Sequence, residues 1–487
     1  MVVRRNREGT TGEGVFMGTT LFEHGLGKKG VWLHPSHNVP CAMTGSGKST
    51  TSINHLLTMH PGSLIVISPK GEHVDFSLGR RCDPDLFDND NAPWSGRQLG
   101  IDPRGITGAK YHLTQGRCFN LDPGRQTAYP SSRYTFLNDV DIKRPGAIGR
   151  LLAIFTGSFP DNPHAKEQWF IKAPRTACAA GGGYVMATDP DPSHHTLPYV
   201  IKLLMGIDPV TGVSSPKNQG ELFRRMMQCT ALDGWIQAVG NSLYQLAERN
   251  FGILNSELQN FASVWMLDKS MEEVLGGPSD FSFEDIGIGP PMTVYITPPR
   301  GEKAANAWLR SLLELIQLIL QQRPHVPRHP IRIICDELAF WGSDVKSIKD
   351  ALNILRDRNT CVHLYTQSYS QLLSMFGTEG AAEIISASCL QVFGCNDPMT
   401  REMIGKRLGR GVSPIGYNGY RAMEELSSPD AIDRDLRLTS PLQYVFPPDG
   451  AAMLLGRVAH KPLRTKDGAF FEGLSLTGHY DEHLRAK

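Results

Sequence analysis

Two regimes of apolar patterning divide this chain. Short unbroken apolar runs, the mark of strands buried on both faces, fall near residues 63–67 and again at 292–297, 331–335, 361–366 and 389–395. Between them, from about residue 145 to 285, the sequence reads as helices broken by loops. Helices are predicted over Lys166 to Ala173, Leu197 to Met205, Gly220 to Met227 and Gln237 to Glu248, with loops such as Asp189-Pro190-Asp191-Pro192-Ser193 punctuating them. After this insertion a strand closed by Pro298-Pro299 leads into a long amphipathic helix from about Lys303 to Gln321. Strands alternating with helices imply right-handed crossovers and a mostly parallel sheet covered on both faces. The expected fold class is therefore α/β, a mostly parallel sheet interrupted by an inserted, mostly α-helical domain. The corresponding division is an N-terminal segment at 1–36, a first part of the α/β domain at 37–144, an inserted all-α domain at 145–288 and a second part of the α/β domain at 289–487.

Composition narrows this picture only a little. With 487 residues, 40% of them apolar, the chain exceeds one ordinary core and can fill two domains or three. Fifty basic and forty-nine acidic residues leave a net charge of +1, so any contact with a polyanion must come from a local patch. Nine scattered cysteines without a Cys-x-x-Cys pair fit buried, reduced thiols in the cytoplasm. Among sixteen histidines, His194-His195 and the pair His325 and His329 invite a metal reading, but Pro324, Pro327 and Pro330 forbid the helix that would align the latter. The uncharged stretch Thr176 to Thr188 is too short to cross a bilayer and carries three glycines, and the basic start Met1 to Arg7 lacks the apolar region of a signal peptide.

Candidate chemistry begins at Ala42-Met43-Thr44-Gly45-Ser46-Gly47-Lys48-Ser49-Thr50. A glycine-rich turn ending in Gly-Lys-Ser and opening a helix holds nucleoside triphosphate phosphates on its backbone N–H groups, over Thr44 to Thr50 here. Lys48 would neutralise the β- and γ-oxygens and Ser49 would ligate Mg²⁺. Ala42 stands where the pattern usually has its first glycine, so Gly45 and Gly47 must supply the flexible backbone. Ile53, Leu56 and Leu57 continue the helix, Pro61-Gly62 stops it, and the apolar strand Leu64 to Ile67 follows at once, as an α/β phosphate site requires.

The run Ile331-Arg332-Ile333-Ile334-Cys335-Asp336-Glu337 is a buried strand delivering two acids to its C-terminal edge. Asp336 would hold Mg²⁺ and Glu337 would polarise the attacking water for in-line displacement at phosphorus. Gln367 ends the next predicted strand beside Asp336, where an amide can sense the γ-phosphate. Arg356, eleven residues earlier, lies at the opposite edge and is the candidate arginine finger reaching a neighbour's nucleotide, with Arg358 second.

With these motifs in place, the chain resembles VirD4/TraG-type coupling proteins of type IV secretion and conjugation. Ser68-Pro69-Lys70-Gly71-Glu72 is similar to the family's Asp-Pro-Lys-Gly-Glu turn, with Ser68 replacing the aspartate. Phe119 to Pro123, Gln168-Trp169-Phe170 and Ser279-Asp280-Phe281 fall where the family carries a polar turn and the entry and exit of its helical domain. Gln367-Ser368-Tyr369-Ser370-Gln371-Leu372, then Phe376-Gly377, follows its Gln-Ser-x-x-Gln-Leu…Tyr-Gly pattern, and Gln391-Val392-Phe393 with Asn396-Asp397 matches the next strand and turn. The resemblance, spanning about residues 38 to 470, implies a RecA-like P-loop NTPase domain, ATP and Mg²⁺ as cofactors, and a homo-hexameric ring. It also implies single-stranded DNA bound to a relaxase as cargo, delivered to a type IV secretion channel. Most members carry N-terminal membrane helices; none is read here, so the expected place is the cytoplasm, with two alternatives: a separate membrane subunit recruits the protein to the inner face of the membrane, or the protein is a soluble relative.

Two other functions fit the same motifs. A ring motor of the FtsK or HerA kind would pump DNA in chromosome handling or defence, but the helical insertion favours the coupling-protein branch. A nucleotide-binding scaffold recruiting secreted proteins would barely hydrolyse ATP, and intact Lys48, Asp336 and Glu337 argue against it.

Overall fold

The computed structural model describes residues 15–22, 25–33, 36–60, 62–82, 117–157, 169–209, 211–266, 269–299, 302–327, 329–338, 352, 354–412, 423–425, 427–448 and 450–457. Gln168, quoted above for its resemblance, lies outside them.

Seven parallel strands form the body of the main sheet: β3 (His37–Cys41), β4 (Leu64–Ile67), β5 (Cys118–Leu121), β6 (Thr293–Ile296), β7 (Ile331–Cys335), β8 (Thr360–Leu364) and β9 (Ser388–Val392). Four more extend it antiparallel from β9: β12 (Leu442–Phe446), β13 (Met453–Gly456), β1 (Val15–Phe22) and β2 (Gly25–Leu33), giving the order β2-β1-β13-β12-β9-β3-β8-β7-β4-β6-β5. A separate hairpin pairs β10 (Arg410–Val412) with β11 (Met423–Glu425).

Alternation along the parallel strands divides the core into two. Ile65, Ile67, Val294, Ile296, Ile333 and Cys335 join one apolar cluster, whereas Leu64, Val66, Tyr295 and Ile334 join the other. On the second face the cluster includes Ile53, Leu56 and Leu57 beneath the phosphate-loop helix, and Val74 and Leu78 of α2 (Glu72–Cys82). The phosphate-loop helix opens as a π-helical turn over Ser49–Ile53, with the Asn54 N–H bonded to the Ser49 carbonyl, and continues as α1 (Asn54–Met59).

Between β5 and β6 run α3 (Ala147–Thr156), α4 (Trp169–Thr188), α5 (Leu197–Leu204), α6 (Pro216–Met226), α7 (Trp235–Met266) and α8 (Lys269–Leu275). The glycine-rich stretch inside α4 proves helical because each glycine lets a neighbour close in. A Cβ on Gly181 would sit 3.2 Å from Leu204, on Gly182 3.3 Å from Leu137 and on Gly183 3.1 Å from Leu232. The first cluster runs without a break from the sheet through Trp308 and Leu312 of α9 (Glu302–Gln322) into Leu151, Phe223 and Ile236, so sheet and helices share one core. The remaining helices, α10 (Tyr369–Ser386), α11 (Pro398–Leu408) and α12 (Pro429–Asp435), follow β8, β9 and β11 in the chain.

Candidate functional site: one sheet edge gathers a phosphate loop and two acids

The phosphate loop leaves the C-terminal end of β3, whose residues are all buried. Its backbone is pinned from both neighbouring strands, by the Ala42 N–H on the Thr366 carbonyl at 2.9 Å and the Met43 N–H on the Gly394 carbonyl at 3.2 Å. Gly45 and Gly47 have φ of 79° and 87°, a region that costs any other residue strain, so the two glycines do shape the loop. The buried Ser46 hydroxyl donates to the Met43 carbonyl at 2.6 Å, closing the turn from inside. Lys48 then enters the helix at φ −49° and ψ −52°, while Thr44 and Thr50 are exposed. Helical N–H groups and the positive end of the peptide dipoles thus face the loop.

Across the loop, at the adjoining edge of the sheet, β7 delivers Asp336, which is 8% exposed and accepts from His73 Nε2 at 3.0 Å and from the Ser68 hydroxyl at 3.4 Å. Burial by itself would raise this carboxyl's pKa, but His73, Lys48 and Lys70 outweigh it and hold the group ionised below its ordinary range. His73 shows the complementary balance: burial would lower its pKa, yet Asp336 and Glu72 raise it, so the imidazole donates to the carboxylate. Glu72, which precedes His73 and opens α2, accepts from the Ser49 hydroxyl at 3.2 Å. Ligand atoms of Glu72, His73 and Asp336 all lie within 4.8 Å of one another. With the Ser49 hydroxyl, the oxygen donors of Glu72 and Asp336 are the hard set that Mg²⁺ prefers.

Glu337 and Gln367 meet directly. The Gln367 amide donates to Glu337 Oε1 at 2.9 Å, and its own N–H is held by Gln371 Oε1 at 2.8 Å. Gln371 also accepts from the Thr366 hydroxyl at 2.6 Å, so the two glutamines four residues apart clamp the β8–α10 junction. Ser368 caps α10 by accepting from the Gln371 N–H, and Ser370 donates to Asp397, which in turn caps α11.

Arg356 is not part of this constellation. It lies in the 3-10 turn Arg356–Arg358 just before β8, exposed, at the end of the strand opposite to Gln367. Arg358 is engaged there, donating to the Arg323 carbonyl at 3.1 Å. Of the histidines that invited a metal reading, His194 bonds the Asp189 carboxylate at 2.8 Å and His195 the Asp189 carbonyl at 2.9 Å.

Three side chains at the edge carried no assigned role in the sequence: Glu72, His73 and Arg457. The Ser68 to Glu72 turn marks the first, but nothing local marks His73, and Arg457 reaches the loop only through the fold.

Residues 330–413, from β7 to β10, match the family model described as the TraM recognition site of TraD and TraG. Among solved structures, the plasmid coupling protein TrwB in complex with ADP and Mg²⁺ is similar, with a TM-score of 0.59 at 16% identity over 90% of this chain and 87% of that one. TrwB with a non-hydrolysable ATP analogue gives 0.58 at 16% identity, over 89% and 86%. VirB4 of Thermoanaerobacter pseudethanolicus gives 0.51 at 13% identity, over 93% and 97%. No curated protein sequence matches the chain. The chain thus shares the fold of TrwB, a mostly parallel α/β sheet with a helical insertion, and its segment match falls on a region described from TraD and TraG.

Proposed function

We propose that this protein is an ATP-hydrolysing motor of the coupling-protein kind, which moves single-stranded DNA with its bound relaxase toward a type IV secretion or conjugation channel. The observation that carries the reading is the convergence on one sheet edge of the loop at Thr44 to Thr50, the ionised Asp336, and the Gln367–Glu337 pair. Similarity to TrwB, solved with ADP and Mg²⁺, supports the choice of nucleotide and metal.

In this reading Lys48 and the loop N–H groups bind the phosphates, and Ser49, Glu72 and Asp336 hold Mg²⁺ directly or through water. Held by these oxygens, Mg²⁺ would supply positive charge against the charge that develops on the phosphates in transfer. Glu337 accepts a proton from the attacking water, and the Gln367 amide fixes the carboxylate so that one oxygen faces that water. His73 keeps Asp336 charged and fixed. Arg356 completes the site of a neighbouring subunit in a homo-hexamer. The proposed division remains a nucleotide-binding unit in two parts, 37–144 and 289–487, around a helical unit at 145–288.

ATPase rates measured with and without single-stranded DNA over a range of protein concentrations test the reading. Stimulation by DNA with a steep concentration dependence is expected. A rate indifferent to both would favour the nucleotide-binding scaffold.

A further inference from the structure

Arg457 follows the last residue of β13, more than four hundred positions from the phosphate loop, yet its guanidinium lies on that loop. Nη2 donates to the Ser46 carbonyl, and Nη1 donates to the Ser440 carbonyl at 3.0 Å. Its Cζ sits 4.8 Å from the centre of the Phe393 ring, just beyond β9. A Cβ on Gly47 would come within 3.3 Å of Nη2, so the group touches the turn where the loop becomes a helix. Nε is buried without a hydrogen-bond partner, and among the described residues no carboxylate pairs with this side chain. Burial lowers its pKa, and among the described residues no acidic neighbour opposes it.

A guanidinium surrounded by neutral carbonyls and an aromatic face lacks the counter-charge that normally accompanies a partly buried arginine. An anion seated in the phosphate loop would supply it. We propose that Arg457 is a positioning residue of the nucleotide site: it clamps the phosphate loop through the Ser46 carbonyl and adds, from within the same chain, positive charge that a bound nucleoside polyphosphate neutralises. The proposal rests on the nucleotide-binding reading above. It makes the antiparallel end of the sheet part of the site, since β12, β13 and β9 together aim this side chain.

Titrating the full chain with a fluorescent ADP analogue tests it, in the wild type and in Arg457→Lys, Arg457→Gln and Arg457→Ala. Losing a hydrogen bond to a charged group should weaken the Gln and Ala variants about tenfold, whereas Lys should stay within about threefold of wild type. The loss should shrink as salt is raised. A Gln variant as tight as wild type overturns the proposal. Equal weakening of all three variants, accompanied by lower melting temperatures, also overturns it and leaves Arg457 a packing residue. If the wild type itself binds no ADP analogue, the nucleotide reading falls and takes this one with it.

Discussion

At the scale of single residues, the proposed roles separate binding from chemistry. Lys48 stands at the loop, whereas Glu337 sits on another strand and is tied to Gln367 rather than to the loop. Lys48→Ala should therefore lose nucleotide binding and turnover together. Glu337→Gln should keep nucleotide affinity within a few-fold and lower turnover by about a hundredfold or more, since a positioned base contributes on the order of 10² to 10⁴. Isothermal titration beside a phosphate-release assay resolves the two, and unchanged hydrolysis in the Gln variant would remove Glu337 from its role. The same scale explains the missing first glycine. Ala42 is fully buried with its N–H on Thr366 and is not among the residues of positive φ, so nothing at that position requires glycine, whereas Gly45 and Gly47 carry the left-handed turns.

At the scale of elements, β7 bears the acids at one end and a buried arginine at the other. Arg332 is fully buried, donating from Nε to His60 Nδ1 at 3.1 Å and bonding His363 Nε2 through Nη1 at 3.0 Å. His37 on β3 accepts from the Val362 N–H at 3.0 Å. Burial, reinforced by Arg332 for the other two, depresses all three histidines, His37 from 6.5 to about 4 and His60 and His363 well below 6.5. They fold neutral. As pH falls below 6.5 the unfolded chain takes up protons that the folded chain refuses, so stability declines with acid by up to about 1.4 kcal/mol per pH unit for each histidine. Urea midpoints should drop between pH 7 and pH 5, and His363→Gln should flatten that slope. An unchanged slope in the variant would mean that other groups dominate.

Elements also show where the sequence was readable. Apolar runs such as Leu64–Ile67 and Ile331–Cys335 became central parallel strands because both their faces are covered, which writes burial into every position. The helix read over Lys303 to Gln321 is α9, and that read over Gln237 to Glu248 lies within the longer α7. The antiparallel end was not legible. β2 (GLGKKGVWL) mixes glycine and lysine into its run, and β13 has only four residues, so neither shows a period until a partner strand is known. Arg457 was hidden for the same reason. Gln367 and Glu337, by contrast, were legible because each closes a clear strand, and two neighbouring parallel strands must end side by side.

At the scale of the whole molecule, one strand separates the two arginine questions. β8 carries Gln367 beyond its C-terminal end and Arg356 before its N-terminal end, a separation of about 16 Å for five residues at roughly 3.3 Å each. No side-chain rotation brings Arg356 to its own phosphate loop. If it contributes to hydrolysis it must do so in a neighbour, and the exposed Arg356 at an outer edge is the geometry that a head-to-tail ring uses. Mixing subunits makes this testable. Arg356→Ala subunits keep an intact loop but offer no finger, while Lys48→Ala subunits offer a finger but no working loop. Each preparation alone should be nearly inactive. A mixture should regain DNA-stimulated turnover, because an intact loop then faces an intact arginine at some interfaces. For random mixing at equal amounts, about one interface in four is complete, so roughly a quarter of wild-type activity is expected where sites act independently. Activity that never rises above the sum of the separate preparations, at any ratio and with assembly verified by light scattering, would assign the finger elsewhere, with Arg358 tested next by the same mixture.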